Sequence, residues 1–147
     1  HEWYTNFTPE EQHTMLTLWC LFGSPLMLGC ELTKLDDATL ALLTNRDVLS
    51  MLTPDCKPHQ VCLDDEKAIW CAYNAVTGEH FAAFFNLSDE TQTIHCDIET
   101  LHVGDEPCAH KDASLTELWS KEKTSVSGSA ISVTPPAHGC LVFRVEN

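Results

Sequence analysis

The sequence predicts an α+β chain in which a helix–strand–helix unit precedes an all-β antiparallel sandwich. Two changes of pattern along the chain predict this fold class. Between residues 8 and 52 the apolar side chains recur at helical spacing, interrupted by one short apolar run at residues 26–28. From Gln60 onwards, short segments alternate apolar and polar residues, and turn-forming pairs such as Thr77-Gly78 separate them. Regularly punctuated short strands of this kind are typical of a sandwich.

The first helix is predicted over residues 8–22, because both of its ends carry boundary signals. Thr8 is a favourable N-cap, Pro9 occupies the first helical position, and Glu11 completes a capping box. Gly23 ends the helix. The apolar stripe of this helix, which we expect to lie in the core, consists of Met15, Leu18, Trp19 and Phe22.

A very short strand is predicted next, at residues 26–28, and it is apolar on both faces, as strands of parallel sheets are. Asp36 is a favourable N-cap for a second helix over residues 37–44, and Asn45 can cap a third helix around residues 48–52. A small independent domain seldom buries so short a strand between two helices, whereas each repeat of a larger parallel barrel does.

The run TPDCKP is expected to be a linker, since Pro54 and Pro58 stop a helix on both sides. This linker sets the predicted domain limits at residues 1–55 for the helical unit and residues 60–147 for the sandwich. The sandwich strands are predicted within KAIWCAYN, GEHFAAFFN, TQTIHCDI, AISVTP and HGCLVFRVE. The residues expected at the centre of the sandwich core are Trp70, Phe84 and Phe143.

Acidic residues dominate the charge of the chain. It carries 8 Lys and Arg residues against 22 Asp and Glu residues, for a formal net charge of −14. Because phosphate binding needs clustered cations, we expect neither nucleic acid nor an anionic membrane as a partner. No apolar run approaches the ~20 residues of a membrane-spanning helix. His1 opens the chain without a start methionine or a leader, so we expect a processed or cut N-terminus, and export stays open.

Eight cysteines and eight histidines raise the question of a disulfide framework or a metal site. No cysteine pair has the C-x-x-C spacing of a zinc or redox site, and no histidine pair has i,i+4 spacing. Most cysteines stand inside apolar runs such as LWCLF and HGCLVF, where cysteine acts as a small buried hydrophobe. We therefore expect mostly reduced core thiols, with one or more disulfides as the alternative, no metal and no cofactor. Free thiols favour a cytoplasmic location.

Several segments resemble one enzyme family. NFTPEEQHTMLTLWCLFGSPLMLGCEL resembles the segment after the seventh barrel strand of α-galactosidases and α-N-acetylgalactosaminidases of glycoside hydrolase family 27, where a helix ending in L-W-C precedes S-P-L-M-x-G. DATLALLTNRDVLSM resembles the helix that follows there. GEHFAAFFNLSDE, LTELWS and PPAHGCLVFRV are similar to the family's C-terminal antiparallel domain, which carries a D-L-W step and a final H-G-x-x-x-[FY]-[RK] strand.

The resemblance implies that the first unit is the last helix–strand–helix part of a (β/α)8 TIM barrel, with residues 26–28 as its eighth strand. It also implies a retaining exo-α-galactosidase, whose two catalytic carboxylates follow the fourth and sixth barrel strands. Both would precede His1, so we expect no catalytic residue in this chain and no activity from the chain alone. The expected partners are a galactose-containing oligosaccharide, bound through the parent barrel, and either the remainder of that barrel or a second copy of the chain.

Four residues are candidates for the substrate-facing rim of that barrel: Trp3, Tyr4, Cys30 and Glu31. Glu31 follows the eighth strand at an acidic position where the family usually has Asp, and hydrogen bonding within the rim is its alternative role. Trp3 and Tyr4 are suited to line a sugar subsite, because aromatic faces accept the apolar faces of sugars, and packing is their alternative role.

Two function classes stay open on the sequence. The first is the glycosidase, for which galactose, N-acetylgalactosamine and β-L-arabinopyranose are alternative sugars, because the loops that distinguish them would lie upstream. The second is a non-catalytic β-sandwich that associates with carbohydrate or serves as a structural module.

Overall fold

The computed structural model describes residues 7–22 and 37–146 of the chain. In these ranges three helices come first, α1 (Pro9–Phe22), α2 (Asp37–Leu43) and α3 (Arg46–Leu49). Ten strands follow them, with a short 3-10 helix (Ile98–Thr100) after the fourth. The strands are β1 (Cys56–Leu63), β2 (Lys67–Asn74), β3 (His80–Asn86), β4 (Ile94–Asp97), β5 (His102–Val103), β6 (Glu106–Pro107), β7 (Ser114–Glu117), β8 (Lys123–Ser125), β9 (Ala130–Val133) and β10 (Cys140–Glu146).

The N-terminus of α1 forms as its local sequence predicts. The Thr8 hydroxyl accepts a hydrogen bond from Glu11 N at 3.2 Å, and Glu11 Oε2 accepts one from Thr8 N at 2.9 Å. These two reciprocal bonds satisfy N–H groups that the first helical turn would otherwise leave without a partner. The capping box is therefore confirmed.

The second and third predicted helices are also present, with small shifts of their limits. α2 ends at Leu43, and α3 begins at Arg46 because Asn45 caps it directly. The Asn45 side-chain oxygen accepts hydrogen bonds from two backbone N–H groups of α3, each at 3.1 Å. The strand predicted at residues 26–28 lies outside the described residues, as do the boundary residues Gly23 and Asp36.

The strands form an antiparallel sandwich, as predicted. Six of them make one sheet in the order β1-β2-β3-β10-β7-β8, while β4 pairs with β9 and β5 pairs with β6. The β4–β9 pair covers one face of the six-stranded sheet. The buried cluster between them, here called the sandwich core, includes Phe84, Ile94, Leu101, Leu115, Ile131 and Phe143.

The helices pack on the opposite face of the same sheet. The buried cluster there, here called the helix-side core, includes Leu16, Cys20, Leu21, Val48, Met51, Phe81, Phe85 and Val142. Successive residues of β3 alternate between the two clusters, so that Phe84 belongs to the sandwich core and Phe85 to the helix-side core. A strand with both faces buried needs apolar residues at every position, which explains the run HFAAFFN.

The linker predicted at residues 53–58 is partly wrong, because the sheet includes its last residues. β1 begins at Cys56, so the segment around Pro58 is a strand and not part of a linker. Pro58 is tolerated because β1 is an edge strand of the sheet, hydrogen-bonded to β2 alone. A proline has no N–H to donate, and an edge strand needs backbone donors on one side only.

Three of the predicted core positions, Trp70, Trp19 and Met15, also differ from the structure, and Met15 is only half-buried. Phe84 and Phe143 do centre the sandwich core, with their rings 6.0 Å apart in an edge-to-face arrangement. Trp70 instead packs half-buried against the helix-side core, because β2 turns it to the opposite face from Ile69. Trp19, predicted to be buried, is 39 % exposed. α1 has apolar residues on two faces, and the face with Leu16 is the one that contacts the sheet.

Candidate functional site

The predicted rim residues lie outside the described part of the chain. Trp3 and Tyr4 precede residue 7, and Cys30 and Glu31 lie between residues 22 and 37. The roles of these four residues therefore stay predictions. Within those two ranges, no group of three or more His, Cys, Asp or Glu side chains is placed to hold a metal ion. No helix found there has both the length and the apolar composition needed to cross a membrane. The described residues do present a joint between α1 and the sheet, with a groove beside it.

Carboxylates that the sequence places in turns have local partners. Asp64 Oδ1 accepts hydrogen bonds from Glu66 N at 2.8 Å and from Lys67 N at 2.9 Å, and these bonds hold the pKa of Asp64 below its usual range. Glu106 Oε1 lies 3.0 Å from His80 Nε2. Asp64 therefore caps its own turn, whereas Glu106 of β6 contacts a histidine of β3 that is distant in the sequence.

Glu117 anchors the joint between α1 and the sheet. Its carboxylate is 4 % exposed and accepts three backbone hydrogen bonds, from Trp119 N at 3.0 Å, Ser120 N at 2.8 Å and Val142 N at 2.9 Å. A buried carboxylate is stable only when its lone pairs are used in this way. Glu117 therefore fixes the turn that follows β7 and orients Trp119 towards α1.

Trp119 connects that turn to α1 by two contacts. Its indole Nε1 donates a hydrogen bond to Thr17 Oγ1 at 3.0 Å, and its ring stacks on the His13 imidazole with 4.4 Å between ring centroids and 17° between planes. Thr17 is fully buried. The helix–sheet joint is defined here as Glu117, Trp119, Thr17 and His13.

His13 favours its neutral form at this joint. Burial lowers the pKa of His13 below its ordinary value of 6.5, and the nearby carboxylates of Glu10 and Glu117 oppose this shift without cancelling it. A neutral imidazole stacks on the indole without desolvating a charge. The joint is therefore strongest when His13 is unprotonated.

α3 is attached to the sheet by a second set of polar contacts. Asn45 Nδ2 donates a hydrogen bond to Leu118 O at 3.0 Å. Asp47 pairs with Lys121, and its Oδ1 lies 3.3 Å from Arg144 Nη2. The hydrogen bond from Lys121 is the main cause that lowers the pKa of Asp47. Together these contacts tie α3 to β10 and to the same turn that carries Trp119.

An apolar groove of about 610 Å³ lies between α1 and the loops at one end of the sheet. We call it the α1 groove, and its main lining residues are Phe7, Met15, Leu18, Trp19, Leu87 and His138. Thr14 Oγ1 donates a hydrogen bond to His138 O at 3.0 Å, which joins the two walls. His138 also contacts Asp89, which is 94 % exposed, with 2.7 Å between His138 Nε2 and Asp89 Oδ1.

Most of the described cysteines are buried in the two cores. Seven of them lie in the described residues, all as free thiols, and only Cys62 among these seven is not buried. Burial raises the pKa of Cys20 to about 11 and that of Cys140 to about 12. Thiols of this kind are protonated at neutral pH and are poor nucleophiles. Their burial confirms the predicted role of cysteine as a small core residue.

Sequence reasoning missed the helix–sheet joint. The segment LTELWS resembles the D-L-W step of the family, and that resemblance does not report that the Glu117 carboxylate accepts hydrogen bonds from the backbone two and three residues on. The stacking of His13 on Trp119 joins positions far apart in the chain. No local pattern reports such a contact.

A family model describes most of the sheet. The model of the alpha galactosidase C-terminal beta sandwich domain matches residues 64–145. Alpha-galactosidase A of Cellvibrio japonicus is 25 % identical over 146 residues, which cover 95 % of this chain and 36 % of that protein. A probable alpha-galactosidase of Dictyostelium discoideum is 29 % identical over 141 residues, covering 88 % of this chain and 34 % of its own length.

Solved structures agree over nearly the whole chain. The β-L-arabinopyranosidase of glycoside hydrolase family 27 from Geobacillus stearothermophilus superimposes with a TM-score of 0.86 at 31 % identity, covering 99 % of this chain and 32 % of its own. Alpha-galactosidase I of Mortierella vinacea shares the fold, with a TM-score of 0.82 at 17 % identity over 95 % of this chain and 36 % of its own. The chain spans about a third of the length of these proteins. It belongs to the family of alpha-galactosidase C-terminal β-sandwich domains, as found in glycoside hydrolase family 27.

Proposed function

We propose that this chain is the C-terminal part of a retaining exo-α-galactosidase, which hydrolyses terminal α-linked galactose from oligosaccharides or glycoconjugates. The observation that carries the proposal is the extent of the match to alpha-galactosidase A of Cellvibrio japonicus, which includes the helical unit as well as the sandwich. Residues 1–55 would supply the last helix–strand–helix part of a (β/α)8 barrel, and residues 60–147 the sandwich that packs beside it.

The chemistry in this proposal belongs to the part of the parent protein that precedes the chain. A retaining glycosidase uses two carboxyl groups about 5–5.5 Å apart. One carboxylate attacks the anomeric carbon and displaces the leaving-group oxygen, which takes a proton from the other. That second group then removes a proton from a water molecule, whose oxygen attacks the anomeric carbon and displaces the first carboxylate, so the sugar leaves with its original configuration. We assign both carboxyl groups to the preceding barrel strands and none to this chain.

The carboxylate most deeply buried in the described residues supports that assignment. Glu117 has both oxygens engaged by backbone N–H groups, so it is not available to attack a sugar or to exchange a proton with it. Asp47 is similarly engaged by two cations. The proposed contribution of this chain to the active site is limited to the rim, through Trp3, Tyr4, Cys30 and Glu31.

The structural role proposed for the chain is to hold the end of the barrel against the sandwich. α1 and α3 share the helix-side core with the six-stranded sheet, and the helix–sheet joint adds directional hydrogen bonds to that contact. A barrel helix that is held in this way also fixes the position of the strand that follows it. This supports a sandwich that stabilises the catalytic barrel from outside the active site.

An activity assay tests the proposal. The 147-residue chain, assayed with an aryl α-galactoside, should show no turnover, and turnover should appear when the polypeptide encoded directly upstream is added. NMR of the first-formed sugar should show the α-anomer, as retention requires. Turnover by the chain alone that disappears in Glu31→Gln would contradict the proposal and make Glu31 catalytic.

A β-L-arabinopyranosidase is the second candidate, favoured by the 31 % identity with the Geobacillus stearothermophilus enzyme. β-L-Arabinopyranose has the ring of α-D-galactopyranose without the hydroxymethyl group at C5. The ratio of kcat/KM for aryl β-L-arabinopyranoside and aryl α-galactoside on the reconstituted protein separates the two candidates. An aryl α-N-acetylgalactosaminide in the same series tests the third sugar.

We also propose a reducing, cytoplasmic location for the parent protein. The support is that all seven cysteines in the described ranges are free thiols. Rapid alkylation of freshly lysed cells under denaturing conditions without reductant, followed by mass spectrometry, should find all seven modified, and Cys62 should also be modified in the native protein because it is not buried. A disulfide between any two of them in the cellular protein would contradict the location.

A further inference from the structure

Two free thiols of the sandwich core lie against each other. Cys71 stands on β2 and Cys108 directly follows β6, and both side chains are fully buried. Cys71 Sγ lies 3.4 Å from His102 O, in the hairpin that leads to Cys108. Cys108 Sγ lies 3.7 Å from Ala72 O, the carbonyl of the residue after Cys71. Each thiol therefore reaches the backbone beside the other cysteine, and the two side chains contact each other.

The backbone on both sides holds this pair in place. Cys108 N donates a hydrogen bond to Leu101 O at 2.7 Å, and Leu101 directly precedes the residue whose carbonyl is next to Cys71 Sγ. Cys71 lies in the middle of β2, between β1 and β3. A disulfide forms without backbone movement only when two cysteine side chains already face each other at short range. This pair meets that condition in the reduced protein.

The contact makes the two thiols chemically different. Contact with Cys71 is the main cause that lowers the pKa of Cys108, because the Cys71 S–H can stabilise the thiolate of its neighbour. The same contact is the main cause that raises the pKa of Cys71. A thiolate is the form of cysteine that reacts with peroxides, so Cys108 is suited to react first and Cys71 to react second.

The β5–β6 hairpin controls access to the pair. It packs on β1 and β2, where the His102 ring stacks on the His59 ring with 5.4 Å between centroids, and Glu106 contacts His80 at 3.0 Å. The two strands of this hairpin have two residues each. So short a hairpin opens at a lower free energy than the six-stranded sheet, and its opening admits a small oxidant to the thiols.

We propose that Cys71 and Cys108 form a reversible disulfide when the protein meets a peroxide, and that this bond fixes the segment after the β5–β6 hairpin to β2. The Cys108 thiolate attacks a peroxide oxygen and breaks the O–O bond, which yields a sulfenic acid and hydroxide. This hydroxide takes the proton that Cys108 has released and becomes water. The Cys71 sulfur then attacks the Cys108 sulfur, and the displaced hydroxide leaves as a second water with the Cys71 proton. Two thiols lose two electrons, and the peroxide gains them.

This inference is separate from the proposed glycosidase activity, because it concerns the sandwich core alone. It agrees with the reducing location proposed above. In that location the pair stays reduced, and the disulfide forms only on exposure to the oxidant.

Oxidation of the folded 147-residue chain with hydrogen peroxide tests the proposal. The protein is then denatured without reductant, alkylated with N-ethylmaleimide and analysed as peptides by mass spectrometry. The peptides of Cys71 and Cys108 should be joined, those of Cys96 and Cys140 should be alkylated, and dithiothreitol should separate the joined pair. Absence of the joined peptides, or a disulfide from Cys71 to any other cysteine, would overturn the proposal.

Thermal unfolding gives a second readout. The disulfide closes the loop between residues 71 and 108, so the oxidised wild-type chain should unfold at a temperature about 5–10 °C higher than the reduced one. Cys71→Ala and Cys108→Ala should each abolish this shift. Cys96→Ala is the matched control, since Cys96 is buried in the same core and its Sγ lies 3.3 Å from Thr100 Oγ1.

The wild-type measurements decide the proposal even if an alanine variant does not fold. Joined peptides with no rise in the unfolding temperature would show that the bond does not fix the segment. A rise that persists in Cys71→Ala, or one that Cys96→Ala removes, would assign the oxidation to other cysteines. Either result would overturn the proposal.

Discussion

The two faces of the six-stranded sheet differ in how they are covered. The sandwich core is a continuous apolar cluster, closed by β4, β9 and the segment around Leu101, and centred on the edge-to-face pair Phe84 and Phe143. The helix-side core is smaller, and half-buried aromatic and aliphatic residues such as Trp70 and Trp119 surround it. The buried hydrogen bonds of the Glu117 carboxylate lie next to the helix-side core and not in the sandwich core.

This difference separates two tasks of one sheet. Apolar burial is strong and non-directional, so it suits the face that must collapse into a fold. Hydrogen bonds and stacked rings contribute less free energy but define orientation, so they suit the face that must hold α1 at a fixed angle. The sandwich core stabilises the fold of the domain, and the contacts on the helix side hold α1 on the sheet.

The largest expected effect comes from truncating neighbouring phenylalanines of β3 that face opposite ways. Phe84→Ala and Phe85→Ala should each lower the free energy of unfolding by about 3–5 kcal/mol, because both side chains are fully buried. Urea unfolding measures the loss. Hydrogen exchange should show α1 losing protection first in Phe85→Ala, and β9 in Phe84→Ala. Equal loss of protection in α1 and β9 for both variants would mean that the two cores are one cooperative unit.

Glu117→Gln tests the directional part of the helix side. The amide retains one acceptor oxygen and replaces the other with a donor, which leaves at least one of the three backbone N–H groups unpaired. The expected loss of unfolding free energy is about 1–3 kcal/mol, the cost of an unsatisfied buried group. Urea unfolding followed by tryptophan emission measures it. The control is Glu122→Gln at an exposed position, which should change stability by no more than about 0.5 kcal/mol.

A smaller effect is expected from pH at the helix–sheet joint. Because the pKa of His13 is lower in the folded chain than its ordinary 6.5, the unfolded chain binds a proton first as the pH falls. The contribution of His13 to stability is therefore complete above about pH 6.5, declines as the pH falls towards its folded-state pKa, and is lost below that.

The His13→Phe variant isolates this contribution from those of the other histidines. Unfolding free energies at pH 7.5 and 5.5 should differ more for the wild-type chain than for the variant, since phenylalanine keeps the stacked ring and does not titrate. An equal pH dependence in both proteins would show that His13 does not sense pH at this joint.

Asp47→Asn should have the smallest effect. Asp47 and Lys121 are both partly exposed, so their pair contributes no more than about 1 kcal/mol at low salt and less at high salt. The pKa of Asp47 is lowered, so this contribution is present above its ordinary value of 3.8 and is lost as the pH falls through the folded-state pKa. Thermal unfolding at two ionic strengths measures it. An undiminished effect in 1 M salt would mean that Asp47 acts through backbone geometry at α3.

Local sequence signals predict the helices and strands. Contacts between distant segments determine which faces of these elements are buried. The capping box of Thr8 and Glu11 and the cap at Asn45 lie within three residues of their partners, so the sequence alone reports them. The predicted burial of Trp19 is wrong because α1 is apolar on two faces, and only the contact with the sheet determines which face is buried. The bonds of Glu117 to Val142 and of Trp119 to Thr17 join distant segments, which no spacing rule describes. The predicted rim residues stay predictions.

The place of β10 in the sheet has a consequence for translation and for genetics. β10 follows every other strand along the chain, yet it lies between β3 and β7. As the chain leaves the ribosome, β1, β2 and β3 can pair as a meander, whereas β7 and β8 must wait for residues 140–146 before they join the same sheet. A premature stop codon at Cys140 would therefore remove a strand from the middle of the sheet and leave the edges of β3 and β7 unpaired, whereas an N-terminal truncation through Leu63 would remove only the edge strand β1 from this sheet.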